Sequence, residues 1–219
     1  MRPDHAWGAE CAWPSAEPRH RPAPWRSFAL ALLLIGAAQF GHGAGIQAKA
    51  WLAQGLIARA WDRTLAGERE VKPWPWADTW PVAKLSAPTL GIERYVLAGA
   101  DGAALAFGPG HLDGTPLPGT PGNSVIGGHR DTHLAFLRRL RPGDPLVVER
   151  ADGVRIAFRV FEGDVLDKGD VWVTKQEGPT RLTLVTCYPF DALRAGGRQR
   201  YVVFAFEQPN RGGERGTRG

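Results

Sequence analysis

Among the side chains that can act as nucleophiles, one thiol stands apart. Cysteine occurs twice, at Cys11 and Cys187. Cys11 lies ahead of an apolar run that separates it from the rest of the chain, which leaves Cys187 as a thiol without an intramolecular partner. Such a thiol is either buried as a small hydrophobe or used. Cys187 ends the run RLTLVTC, and Tyr188-Pro189 follows at once, so it sits where a strand gives way to a loop and reactive groups are commonly held. Thiol acyl transfer also needs a proton-handling partner and a donor for the developing oxyanion. His129, which ends SVIGGH after Gly127-Gly128, is the natural partner because the glycines permit close backbone approach. His133 is its competitor, and His111 in GPGHLDG is a third; His5, His20 and His42 lie in or before the apolar run. Arg198 and Arg200 lead into YVVFAFE and by alternation share a face. A guanidinium stays charged and donates several hydrogen bonds.

The same residues permit other chemistries. Water in place of an amine would make the chain a cysteine peptidase, although no obvious Asn or Asp is positioned after a second histidine to orient it. A zinc site from His129, His133 and Cys187 would need the two histidines on one helix face. The glycines before His129 and the loop after it argue against that helix, and no acidic base follows as in HExxH. A third class is a membrane-anchored binding module without catalysis, suggested by the Trp-rich stretch.

The elements that must position these groups read as β structure. Ser124 to His129, Pro145 to Arg150, Val154 to Phe161, Arg181 to Cys187 and Arg200 to Glu207 are short runs of Val, Ile, Leu and Phe bounded by Gly, Pro and Asp. Asp152-Gly153 is a hairpin turn signal. About eight such segments after Ala87 point to a closed barrel, because an open sheet would expose apolar edges. Alternation places Arg181, Thr183, Val185 and Cys187 on one face and Leu182, Leu184 and Thr186 on the other. At THLAFLRRL, Leu134, Leu137 and Leu140 recur at three-residue spacing, a helical turn ended by Pro142-Gly143.

With 219 residues, 43% of them hydrophobic, the chain can bury one ordinary core. Residues 1–26 read as a disordered cytoplasmic tail. Residues 27–46, SFALALLLIGAAQFGHGAGI, carry no formal charge and have the length of a bilayer span, with Arg19, Arg21 and Arg26 before them. This predicts a single-pass inner-membrane anchor with the remainder outside the cytoplasm. The rival is a cleaved secretory signal with its apolar part at Phe28 to Ala38 and a small-x-small site at Ala48-Lys49-Ala50. Residues 47–71 read as a juxtamembrane helix, 72–208 as the β-barrel domain and 209–219 as a second tail. VKPWPWADTWPVAKL is broken by Pro73, Pro75 and Pro81, yet its tryptophans are too apolar for a solvated linker, so it should pack on the domain or the membrane interface. The net charge of +5 comes largely from terminal arginines, including Arg211, Arg215 and Arg218, and does not argue for nucleic acid. The cysteine count excludes a disulfide framework and a four-cysteine zinc site.

Thr183-Leu184-Val185-Thr186-Cys187 matches the TLxTC signature of sortases, and the order His129, Cys187, then an arginine entering a last strand resembles their catalytic set. GGHRDTHLAFLRRLRPGD is similar to the stretch around the sortase histidine. The layout, with PWPWADTWPVAKL after a membrane segment, resembles the proteobacterial class GN. The resemblance implies an all-β, eight-stranded β-barrel cysteine transpeptidase. By it Cys187 is the nucleophile, His129 the general acid and base, Arg200 the carbonyl and oxyanion ligand, and Thr183, Leu184, Val185 and Thr186 line the substrate. It implies no cofactor and an exported substrate protein with a C-terminal LPxTG-like sorting signal, transferred to an amine acceptor. Some members bind calcium through acidic residues with no counterpart placed here, so no metal is expected.

Overall fold

The computed structural model describes residues 24–209 apart from 177 and 193–195. Of the tails expected over 1–26 and 209–219, residues 1–23 and 210–219 lie outside the described residues. The chain divides into two compact units, 1–47 and 48–219. One helix, α1 (Pro24–Leu65), begins in the first and ends in the second. The sequence suggests a tail to residue 26 and a second helix from 47. Instead residues 24–26 form the first turn of α1, where the fixed φ of Pro24 suits a helix start, and no break separates the two stretches. Among the described residues, Trp25–Leu65 is the one helix long and apolar enough to cross a membrane.

Within the second unit α1 is amphipathic. Ala53, Ile57, Ala60, Trp61 and Thr64 are buried, at helical spacing, whereas Trp51 and Leu52 are exposed. Ile57 packs in a small cluster with Leu97 and Ala104, flanked by Trp74, Tyr95 and Phe107. Trp74 meets Phe107 edge-on with ring centroids 4.8 Å apart. The Trp-rich stretch thus packs on the domain at Trp74, while Trp76 is exposed.

Eight strands form the barrel: β1 (Pro81–Ala87), β2 (Ile92–Ala98), β3 (Gly110–His111), β4 (Asn123–Gly128), β5 (Pro145–Arg150), β6 (Arg155–Asp167), β7 (Arg181–Tyr188) and β8 (Gln199–Glu207). A four-residue helix, α2 (Gly102–Leu105), follows β2. The strand order is β1-β2-β3-β4-β7-β8-β6-β5, closed by antiparallel pairing of β1 with β5. Closure removes the apolar edges that the composition could not leave exposed. Pro81 does not interrupt β1; it begins it, a position where a missing N–H is tolerated.

β6 outruns the apolar run that marks it. Its first part pairs with β5, and after a register shift between Val160 and Glu162 its second part pairs with β8 as far as Asp167 opposite Gln199. That second part is largely exposed and carries no alternation, so its strand character comes from the ladder offered by β8. The Asp152-Gly153 turn is present, with Gly153 at φ 77° and Arg150 N–H donating to Val154 at 2.9 Å. The Leu134/Leu137/Leu140 spacing becomes a 3₁₀ helix over Ala135–Arg139, in which three-residue spacing stacks side chains on one face, and all three leucines are buried.

The core fills from rows that cross the sheet. Ile126 on β4, Leu184 on β7 and Val203 on β8 lie side by side and are all buried. Leu184→Ala removes the centre of that row, and urea unfolding should show a loss of about 2–5 kcal/mol.

Candidate active site

Two facts of pairing bring three strand ends to one rim. β4 and β7 run parallel, and their pairing ends where β4 ends, at Gly128 opposite Thr186. β8 runs antiparallel to β7 and starts beside its end, with Cys187 opposite Arg200. His129 follows Gly128 directly, so the chain delivers an imidazole, a thiol and a guanidinium to the same edge. All three line one cleft of about 380 Å³, floored by Leu105, Leu112 and Val185. Cys187 is a free, half-buried thiol. His129 is exposed and Arg200 half-buried. Arg200 Nη1 donates to the carbonyls of Gly197 at 2.7 Å and Gln199 at 2.9 Å, which limits its rotamers.

The competing residues lie elsewhere. Arg198 precedes β8, so strand alternation does not put it on the face of Arg200; its Nε is 3.4 Å from Asp167 and its side chain is 80% exposed. His111 is buried in β3, with Nε2 2.9 Å from the Pro116 carbonyl and 3.0 Å from the Thr115 hydroxyl, and holds the following loop. His133 is half-buried, hydrogen-bonded to the backbone of Ala106, and does not line the cleft. Residues 129–134 form a turn closed by Leu134 N–H donating to His129 at 3.0 Å, so His129 and His133 do not share a helix face. Among the described residues no three His, Cys, Asp or Glu side chains are grouped to hold a metal ion.

The four residues ahead of Cys187 divide. Val185 and Thr186 line the cleft. Thr183 and Leu184 have no exposed surface, which corrects the expectation that they contact substrate. Leu184 faces the core, and the Thr183 hydroxyl donates to Asn123 Oδ1 at 2.7 Å. Asn123 in turn donates from Nδ2 to the carbonyls of Val173 at 2.6 Å and Lys175 at 3.2 Å. This buried network fixes the segment that lends Val173 and Thr174 to the cleft wall. Asn123 had no signal in the sequence beyond being one of two asparagines, because its partners are tens of residues away.

The two glycines before His129 are not equivalent. A Cβ on Gly128 would lie 2.7 Å from Leu134 Cγ, whereas a Cβ on Gly127 would meet nothing within 4 Å. Only Gly128 permits a close approach, and it lets Leu134 fold back under the histidine turn.

The family model for the sortase domain matches residues 85–208. The chain belongs to the sortase family. It is 30% identical over 121 residues to sortase D of Bacillus subtilis (strain 168), covering 55% of this chain and 60% of that protein. The chain thus spans about 60% of the length of this curated relative. Among solved structures, sortase A from Corynebacterium diphtheriae is similar with 28% identity and a TM-score of 0.54, over 61% of this chain and 63% of that one. A Clostridium perfringens sortase D5 transpeptidase shows 25% identity and a TM-score of 0.52, over 59% of this chain and 80% of that one. The pilus-related sortase C of Group B Streptococcus shows 25% identity and a TM-score of 0.53, over 60% and 69%. The closed eight-stranded barrel is the sortase fold.

Two measurements check this geometry. Gly128→Ala should cost about 1–3 kcal/mol in urea unfolding through overpacking against Leu134, while Gly127→Ala should be close to neutral. Burial, then the Arg94 charge, hold the His133 imidazole below its ordinary pKa of 6.5, with the Ala106 bond opposing and His129 adding a little. The unfolded chain therefore binds this proton more readily, so the stabilising contribution is full above about 6.5 and is lost as pH falls through the folded value. The His133 ring resonances should titrate below those of an unstructured histidine, and His133→Gln should flatten the loss of stability on acidification.

Proposed function

We propose that this protein is a membrane-anchored cysteine transpeptidase that cleaves a sorting signal in an exported protein through a thioacyl intermediate. The observation that carries the reading is the convergence of Cys187, His129 and Arg200 on one cleft of a sortase barrel. In this reading the Cys187 thiolate attacks the carbonyl of a threonine-like residue in an LPxTG-like peptide. The S–C bond forms, and the carbonyl electron pair moves to oxygen, where Arg200 and backbone N–H groups stabilise it. Collapse breaks the C–N bond as His129 protonates the departing amine. An acceptor amine then gives a proton to His129, attacks the thioacyl carbon and expels the thiolate. Val185 and Thr186 border the peptide, while Thr183 and Leu184 hold the strand that presents the thiol.

The anchor is assigned to the apolar part of α1, supported by its length and by the absence of formal charge over 27–46. Arg19, Arg21 and Arg26 before it favour a cytoplasmic N-terminus and a barrel on the periplasmic side of the inner membrane. Assignment to the class GN branch rests on the Trp-rich segment between this helix and β1. Hydrolysis of the sorting peptide by water is the second reading, favoured by the exposure of His129, and an added amine separates the two through the ratio of transfer product to free acid.

With the full chain in detergent and a sorting peptide as substrate, Cys187→Ala should abolish both cleavage and thioacyl formation. His129→Ala should cost at least about a hundredfold in turnover. Arg200→Ala and Arg200→Lys should each cost about a hundredfold to a thousandfold, because an ammonium cannot reproduce the planar fork. Arg198→Ala should cost tenfold or less, about the value of a group that never meets the reacting carbonyl. Persistent cleavage by Cys187→Ala, read by mass spectrometry, would overturn the assignment.

A further inference from the structure

We propose that Arg130 is a positioning residue that joins the turn carrying His129 to the loop following Cys187, and so sets the approach of imidazole to thiol. The inference rests on the thiol–imidazole reading above. A guanidinium is rarely buried unless it is paired, and Arg130 is only 6% exposed. Its Nη1 donates to the Pro189 carbonyl at 2.6 Å and its Nη2 to the Ala192 carbonyl at 2.5 Å. Its Nε donates to Asp131 Oδ1 at 3.2 Å. Both carbonyls belong to the connection from β7 to β8, which begins one residue after the thiol strand ends.

The need for such a tie follows from where the ladder stops. β4 and β7 are bonded up to Gly128 and Thr186, where the Thr186 hydroxyl also donates to the Gly128 carbonyl at 2.7 Å. Beyond that point β4 turns away, closed on itself by the Leu134 to His129 bond, and the chain after Cys187 heads toward Arg200. His129 and Cys187 are thus the first residues on their strands that the mutual ladder does not hold. Arg130 restores the connection one residue later. Its rigid fork reaches two carbonyls through two separate nitrogens, a fixed spacing that a single ammonium nitrogen does not reproduce, and a charged donor makes stronger bonds than a neutral one. Because the fork grips backbone, it fixes where the loop runs and not which side chain occupies it.

The role predicts a loss in the chemical step. Misplacing catalytic groups by about an ångström costs on the order of a hundredfold, so Arg130→Ala and Arg130→Lys should lower kcat about tenfold to a hundredfold, with KM within about twofold, in full-length protein with the sorting peptide. A second readout needs only the thiol and the imidazole. The rate of Cys187 alkylation by iodoacetamide is followed against pH in the parent, in His129→Ala and in both Arg130 variants. If Arg130 sets the pairing, the Arg130 profiles move from that of the parent toward that of His129→Ala, while the unfolding midpoint of Arg130→Lys stays near the parent value. Should Arg130→Ala fail to fold, Arg130→Lys, which keeps charge and stem, carries both measurements. Parental kcat and a parental alkylation profile in Arg130→Lys would overturn the proposal, as would a loss of kcat matched only by a loss of folded protein. A parent enzyme that alkylates normally but transfers no peptide would overturn the transpeptidase reading instead, and the alkylation comparison would still decide the role of Arg130.

Discussion

The parallel pairing of β4 with β7 is the constraint on which the rest of this structure depends. Two parallel strands end at the same edge of a sheet, whereas two antiparallel ones end at opposite edges. Because the shared β4–β7 ladder stops at Gly128 and Thr186, the next residues on the two chains, His129 and Cys187, far apart in sequence, reach the same cleft. Adding β8 antiparallel on the other side of β7 brings a strand start to that same edge, with Arg200 opposite Cys187. Two ladders of ordinary backbone hydrogen bonds thereby bring the three candidate side chains to one cleft.

The middle of β7, from Leu182 to Leu184, is buried on both faces. Leu182 and Leu184 fill the inside of the barrel, while Thr183 on the outer face is equally inaccessible. A buried hydroxyl costs free energy unless it is bonded, and Thr183 meets this by donating to Asn123. Asn123 then uses its amide on the segment at Val173 and Lys175. The polar residue in the middle of the thiol strand is therefore the start of a chain of bonds that secures one wall of the cleft. Rigidity near the thiol comes from this buried network and from core rows such as Ile126, Leu184 and Val203.

The rim is built differently. His129 is exposed and Cys187 and Arg200 are half-buried, so all three side chains reach solvent at the cleft. Their supports lie just behind them: Leu134 packed over Gly128, Arg200 bonded to its own approach loop, and the buried fork of Arg130. Short polar tethers to backbone hold the functional loops, while the apolar barrel beneath carries the stability.

The sequence by itself determined the period-two apolar runs, the Asp152-Gly153 turn, the long apolar segment and the solitary thiol at a strand end, because each depends on neighbours within a few residues. It also carried the family resemblance, through TLVTC and the histidine segment. Tertiary structure alone decided the exposed half of β6, which is a strand only because β8 offers it a ladder. It decided that Thr183 and Leu184 are inaccessible although they stand four and three residues from the thiol, and that Arg198 faces Asp167 because β8 starts after it. Asn123 and Arg130 were illegible for the same reason: their partners lie about fifty to sixty residues away. A local pattern records burial and turning, whereas the bonds that position a site form between segments that only the closed barrel brings together.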